Sequence, residues 1–392
     1  MVLKTRYLNA GVGALFASHF LAFGLYLPFL PLVLEQRGLT SEFVGFILGI
    51  SLFVRILASP VMTNLSDRTG RRRFSIFIYS AVGSLVPVLM YLAPGAGTAA
   101  LCVIILSVFW APIVPLCDAY ALDAVKKAKA DYGKMRLWGS LAFIGANIGG
   151  GYLVVSGPSD PVLLWIAAAT LLTGVVALPL PGMAKGGEEA KRQPTKEKAD
   201  IFRKPWFWML IATAGVLQGT HAAFYGFSTL YWTSVGLDTS VIGILWSLGV
   251  AAEVVLFLAA ARLATRISPY SLLILAAAAG IIRWSLFPFA QDVLTIAALQ
   301  ILHGLTFGAA HLGLIAIMGR IVPSDWAGTG QGFLSTFAGV MTAAGMALSG
   351  PLYALAPAYA FWLMAAASAT AFAVLLGCRS LFQRRIGDTN AA

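Results

Sequence analysis

The chain has 392 residues, 59% of them hydrophobic and only 11% charged, where soluble domains carry about 25% charged residues. With a mean hydropathy of +0.83 it is a polytopic membrane protein and not a soluble enzyme. A net charge of +11 would suggest nucleic acid in a soluble protein, but here it is distributed as a membrane topology requires. Cys102, Cys117 and Cys378 offer neither a disulfide framework nor a paired metal-ligand spacing, so no metal and no cofactor is expected.

Apolar runs follow one another near residues 8–34, 43–65, 74–94, 98–122, 137–156, 161–182, 206–233, 241–263, 270–290, 293–319, 329–353 and 357–378. Each is long enough for a helix across the ~30 Å hydrocarbon core of a bilayer. The first is too long for a cleavable signal and lacks a small-residue cleavage site. With both termini placed in the cytoplasm, 24 of the 27 Lys and Arg fall inside and only Arg37 falls outside, while Arg55 and Arg283 lie within spans. That bias is what the positive-inside rule requires, and the expected location is a bacterial inner (plasma) membrane.

The polar segment 183–204, rich in Lys, Glu and Gly, separates an N-terminal half, 1–182, from a C-terminal half, 205–392. It reads as a flexible cytoplasmic linker. The halves repeat: Gly38-Leu-Thr-Ser-Glu-Phe-Val-Gly45 matches Gly236-Leu-Asp-Thr-Ser-Val-Ile-Gly243 at an offset of 198, which also pairs Arg55 with Glu253. The fold class expected is all-α, twelve transmembrane helices in two pseudo-symmetric six-helix bundles. Parallel repeats of six spans are an architecture of secondary transporters, with the binding site at the midplane between them.

Glu253 sits at the centre of the eighth span, where a carboxylate costs at least about 2.5–3.5 kcal/mol unless it is protonated, paired or facing a polar cavity. The other intramembrane ionisable groups are His19, Arg55, Asp118, His221, Arg283, His303 and His311, with Arg136 near a helix start. Two arginines against two carboxylates allow full ion pairing in an empty site. Gln218, His221, Tyr225, Ser228 and Trp232 share a helical face on the seventh span, as do Trp246 and Glu253 on the eighth. Gln300, His303, Phe307 and His311 make a polar-aromatic stripe on the tenth, where Gly304-x-x-x-Gly308 is a helix-contact signal. The bland readings are packing histidines and structural counter-ions.

Asn64-Leu-Ser-Asp67-Arg68-Thr-Gly70-Arg71-Arg72-Arg73 resembles the signature loop of the major facilitator superfamily, with Thr63 in place of the usual leading glycine. Asp67, Arg68, Gly70 and Arg71 are the implied conformational latch. Asp131-Tyr-Gly-Lys-Met-Arg136-Leu-Trp-Gly139, Leu217-Gln-Gly-Thr-His221 through Phe227, Leu245-Trp-Ser-Leu-Gly-Val-Ala-Ala-Glu253 and Leu299-Gln-Ile-Leu-His303 resemble the phenylpropionate permease group, and Arg55 and Asp118 fit it as well. That group is similar to the lactose/proton symporters. By position this implies substrate roles for Asp118 and Arg136 and coupling roles for Glu253, Arg283 and His303. Where those symporters carry a proton-bearing glutamate this chain has Thr306, so any proton rides on Glu253 or Asp118, with His303 as a further participant.

These observations favour a proton-coupled importer of a small aromatic organic acid. Its expected substrate residues are Arg55, Asp118, Arg136, His221, Tyr225, Trp246 and Arg283, with Tyr26 and Trp284 as further ring walls. The expected partners are the small-molecule substrate, protons and the lipid bilayer, with no nucleic acid and a monomeric state. The alternatives are a sugar, polyol or nucleoside symporter and an efflux transporter. An intramembrane enzyme is disfavoured because His-Glu-x-x-His and Gly-x-Ser-x-Gly are both missing, and a receptor because little beyond the 22-residue linker is free to signal.

Overall fold

The computed structural model describes residues 2–154, 158–181 and 196–387. Most of the expected 183–204 linker lies outside the described residues. Those described are helical, with no strand among them. Among the described residues ten helices are long and apolar enough to cross a membrane, and Pro161–Ala177 is a shorter apolar one, consistent with twelve spans.

The chain forms two compact units: Met1–Ala190 with Ser228–Ser247, and Lys191–Phe227 with Leu248–Ala392. In the first unit α1 (Val2–Gln36) packs along α6 (Tyr132–Val154) and α7 (Pro161–Ala177). Around them stand α2 (Ser41–Thr69), α3 (Arg72–Leu92), α4 (Ala96–Trp110) and α5 (Ile113–Ala128). Leu8, Val12, Leu15 and Phe16 of α1 meet Ile76, Ile113, Leu116 and Met135 in an apolar core. The expected fourth span breaks between α4 and α5 at Ala111-Pro112, where proline supplies no N–H and crowds the preceding turn.

The second unit contains α8 (Pro205–Gly219), the short α11 (Ala260–Ala264), α12 (Pro269–Leu286), α13 (Val293–His303), α14 (Ala310–Ile321), α15 (Ala327–Leu355) and α16 (Pro357–Gly377). There α8 lies on α15 and α16, and α12 lies on α14 and α16. Two elements are divided between the units, α9 (Ala222–Ser234) and α10 (Thr239–Leu258).

The sequence repeat is visible as a repeated hydrogen-bond frame. Gly38 (φ 84°) donates to Glu35 O at 2.9 Å and Leu39 to Leu34 O at 3.1 Å. At the same offset of 198, Gly236 (φ 91°) donates to Thr233 O and Leu237 to Trp232 O, both at 3.0 Å. This is the left-handed glycine stop that lets a helix end and its chain reverse. The next helices then start in register, α2 at Ser41 and α10 at Thr239.

Within the first unit the start of α10 lies antiparallel on α6. Thr239 Oγ1 donates to Gly151 O at 2.9 Å and Ser247 Oγ to Ile144 O at 3.1 Å. Between them Gly243 has no room for a Cβ against Asn147 O.

Candidate functional site

The seventh span breaks between α8 and α9, and the break has no proline. Thr220 Oγ1 donates to Leu217 O at 2.7 Å, and His221 Nδ1 lies 3.3 Å from Gln218 O. Side chains thereby take the two carbonyls that the next helical N–H groups would have used, which is how short polar side chains compete with a helix. The interruption turns His221 inward, fully buried, with its Nε2 3.1 Å from Thr306 Oγ1.

Arg283 of α12 is 0% exposed. Its Nη1 reaches His303 Nδ1 and Thr306 Oγ1, each at 3.0 Å, and its Nη2 donates to Gln300 Oε1 at 2.7 Å. Its Cζ lies over the Trp284 ring, 4.4 Å from the centroid, and over that of Phe224 at 5.0 Å. None of the three hydrogen-bond partners is a carboxylate, so the ion pairing that two arginines and two acids allow is not used by Arg283. Hydrogen bonds and ring faces replace the ion pair here, as burial of a charge demands.

Glu253 of α10 approaches the cluster through His303, whose Nε2 is 3.8 Å from its Oε2. The approach depends on Gly304 and Gly308, since a Cβ at Gly304 would lie 2.9 Å from Ala252 O and one at Gly308 2.7 Å from Leu256 Cδ2. The helix-contact reading of that glycine pair is therefore met, and its contact is the helix bearing Glu253. Gly304–Ala309 is a π-helical turn, a form found mostly as single turns at functional sites. Tyr225 stacks on His221 at 5.9 Å, and the rings of His303, Phe307 and His311 stack in a column at 5.5 and 6.2 Å.

The first unit holds a different arrangement. Arg55 of α2 is half-buried, with its Cζ 5.6 Å from the Phe23 ring. Phe23 stacks with Tyr26 at 6.3 Å, Tyr26 meets Trp110 at 5.1 Å, and buried His19 packs edge-on against Trp110. No carboxylate among the described residues pairs with Arg55.

Asp118 accepts from Tyr132 Oη at 3.0 Å, and Arg136 lies over the Phe20 ring at 4.2 Å. The expected Asp118 and Arg136 thus stand near one another without an ion pair. Trp246 falls in the first unit, its indole N–H donating to Thr229 Oγ1 at 3.1 Å. In the signature loop Asp67 pairs with Arg72 at 2.8 Å and not with Arg68 or Arg71, while Gly70 (φ 65°) closes α2 by donating to Asp67 O. Outside the membrane Asp131 caps α6 by accepting from Lys134 N at 3.1 Å, which holds its carboxyl below the usual range.

Thr306 and Gln300 are binding partners of Arg283 that sequence reasoning did not assign. The signal at Thr306 was the missing acid at a position where symporters need one.

The model of the MFS_1-like family matches residues 14–364. The chain belongs to the major facilitator superfamily. It is 33% identical over 315 residues to the probable 3-phenylpropionic acid transporter of Escherichia coli, covering 80% of this chain and 82% of that one. To the maltose permease of Geobacillus stearothermophilus it is 26% identical over 306 residues, covering 78% and 77%. A crystal structure of a single-substitution mutant of the nucleoside transporter NupG superposes with a TM-score of 0.83 at 15% identity, over 94% of this chain and 99% of that one. This protein is therefore a multi-pass secondary transporter and not an enzyme. Its facilitator fold was the one expected from the repeat and the signature loop.

Proposed function

We propose that the transporter imports a small aromatic carboxylate, of the 3-phenylpropionate kind, together with protons by alternating access. The observation that carries this reading is Arg55, a guanidinium half-buried among Phe23, Tyr26 and Trp110 with no carboxylate partner among the described residues. A planar cation of this kind binds a carboxylate through paired hydrogen bonds, and the rings beside it suit an aryl group. The name of the Escherichia coli relative supports the same substrate class. Glu253 takes the proton. Asp118, Arg136, Tyr225 and Trp246 complete the proposed substrate residues, the expected Arg283 and His221 being held within the protein beside Glu253 instead, and Asp67, Arg68, Gly70 and Arg71 form the latch. The protein acts as a monomer in a bacterial inner membrane with both termini cytoplasmic, in keeping with the Lys and Arg bias.

Uptake by the purified protein in vesicles tests the reading. Labelled 3-phenylpropionate should accumulate under an inward proton gradient and be displaced by other aryl acids. Displacement by disaccharides or nucleosides, with aryl acids inert, would move the protein to the sugar and nucleoside alternative that the maltose and nucleoside relatives represent.

A further inference from the structure

The polar cluster of the second unit can be resolved donor by donor. A guanidinium has donors only, so the contact of Arg283 Nη1 with His303 Nδ1 at 3.0 Å requires a lone pair on Nδ1. A neutral imidazole with its lone pair there carries its hydrogen on Nε2, the atom 3.8 Å from Glu253 Oε2. While Arg283 holds Nδ1, the ring has no position for a second proton.

The remaining hydrogens follow from the same rule. Gln218 O is a carbonyl and can only accept, so His221 carries its hydrogen on Nδ1, and its Nε2, at 3.1 Å, takes the Thr306 hydroxyl hydrogen in preference to the more distant His303 O at 3.4 Å. Thr306 Oγ1 in turn accepts from Arg283. Arg283 is thus the single source from which hydrogens point outward, through Thr306 and His221 to a backbone carbonyl and through His303 to Glu253. Gln300 holds the other arm of the fork. The titratable groups around His303 are Arg283 on α12, His221 at the α8–α9 break, Tyr225 on α9 and Glu253 on α10, with His311 two turns further along its own span.

We propose that His303 is a neutral, single-tautomer spacer through which Arg283 acts on Glu253, and that the transported proton binds Glu253 and never the imidazole. His303 is then a positioning residue, and Thr306 and His221 position Arg283. The proton joins a carboxylate oxygen of Glu253 and leaves from it to water, with no covalent change elsewhere. The transport consequence rests on the proton-coupled reading above, whereas the tautomer assignment does not.

Two measurements test it. The first is ring 15N NMR of histidine-labelled full-length protein, with the His303 signals assigned by their loss in His303→Gln. The expected result is one neutral Nε2–H tautomer throughout about pH 5 to 8. An imidazolium appearing within that window overturns the proposal whether or not the substrate has been identified.

The second measurement is gradient-driven uptake of labelled 3-phenylpropionate by three proteins. His303→Leu removes both the acceptor for Arg283 and the N–H that faces Glu253 at 3.8 Å, and accumulation should fall at least about tenfold. His303→Gln cannot titrate, yet its amide oxygen accepts and its NH2 donates. It should restore accumulation to within about threefold with the pH midpoint unmoved. Loss in the Gln variant equal to that in the Leu variant, with counterflow intact in both, would make the imidazole a proton carrier and sink the proposal. Failure of the wild-type protein to take up the acid would count against the substrate reading instead and leave the NMR result to decide.

Discussion

The two units each bury an arginine among aromatic rings, and they treat it differently. Arg283 is sealed from solvent and uses its fork on Gln300, His303 and Thr306. Arg55 is only half-buried and rests on Phe23, with no acid among the described residues to balance it. A cation whose two Nη groups are engaged by acceptors within the protein, as those of Arg283 are with only Nε left unpartnered, is a fixture of the fold and its field. One whose donors await an acceptor is a place for an anion. The contrast separates a structural arginine from a binding arginine within one chain, and it can be broken by substitution.

The largest effect is expected at Arg283. Arg283→Met leaves three buried acceptors without this donor, each worth about 1–3 kcal/mol, so the second unit should lose about 3 kcal/mol or more. Thermal unfolding in detergent should show a clearly lowered midpoint, with transport lost. An unchanged midpoint would mean that the guanidinium does not organise the cluster, and the distinction between the two arginines would fall.

Next comes Glu253, which meets the cluster around Arg283 through His303. Glu253→Gln should abolish proton-driven accumulation yet leave substrate exchange between equal pools largely intact. Exchange requires only that the loaded carrier change conformation, whereas net uptake also requires the empty carrier to lose its proton and return. A Gln variant that still concentrates substrate under a pH gradient would make Glu253 a structural counter-ion and Asp118 the favoured carrier.

At Arg55 the effect should be smaller and selective. Arg55→Gln should weaken an aryl acid by about 30-fold, the loss of a charge-assisted hydrogen bond of roughly 2 kcal/mol, and the matching amide far less. The unfolding midpoint should hardly move, because the substitution removes a cation–π interaction with Phe23 worth about 0.5–1 kcal/mol. Equal weakening of acid and amide would show that Arg55 does not hold the carboxylate.

Much of this was legible in the amino-acid order alone. Hydropathy marks the spans, and the offset of 198 marks Gly38 and Gly236, whose left-handed stops set the helices that follow. The helix break at Thr220 and His221 was not legible, because it comes from side chains competing for carbonyls and leaves no proline behind. Nor were the partners of Arg283. Counting charges showed that two arginines and two acids were available, but not that Arg283 would spend its donors on Gln300, His303 and Thr306. Thr306 showed itself as an absence, and only the structure gives that hydroxyl a role, as the junction between His221 and Arg283.

The finest distinction is expected between the two members of the glycine pair that brings Glu253 to its partner. A Cβ at Gly304 meets the carbonyl of Ala252 at 2.9 Å, and backbone cannot step aside without parting the helices. At Gly308 the obstacle is Leu256 Cδ2 at 2.7 Å, the far end of a flexible side chain that can turn away. Gly304→Ala should therefore cost about 1–3 kcal/mol, in the range of an overpacked contact, and Gly308→Ala less than about 1 kcal/mol. Because Gly304 follows His303 directly, the first variant should also lower gradient-driven accumulation more than exchange, by drawing the imidazole away from Glu253. Unfolding midpoints and the ratio of accumulation to exchange, compared between the two alanine variants, measure this. Equal behaviour would mean that the close approach of the helices does not set the distance from His303 to Glu253, and that the second unit tolerates a looser cluster than its buried arginine implies.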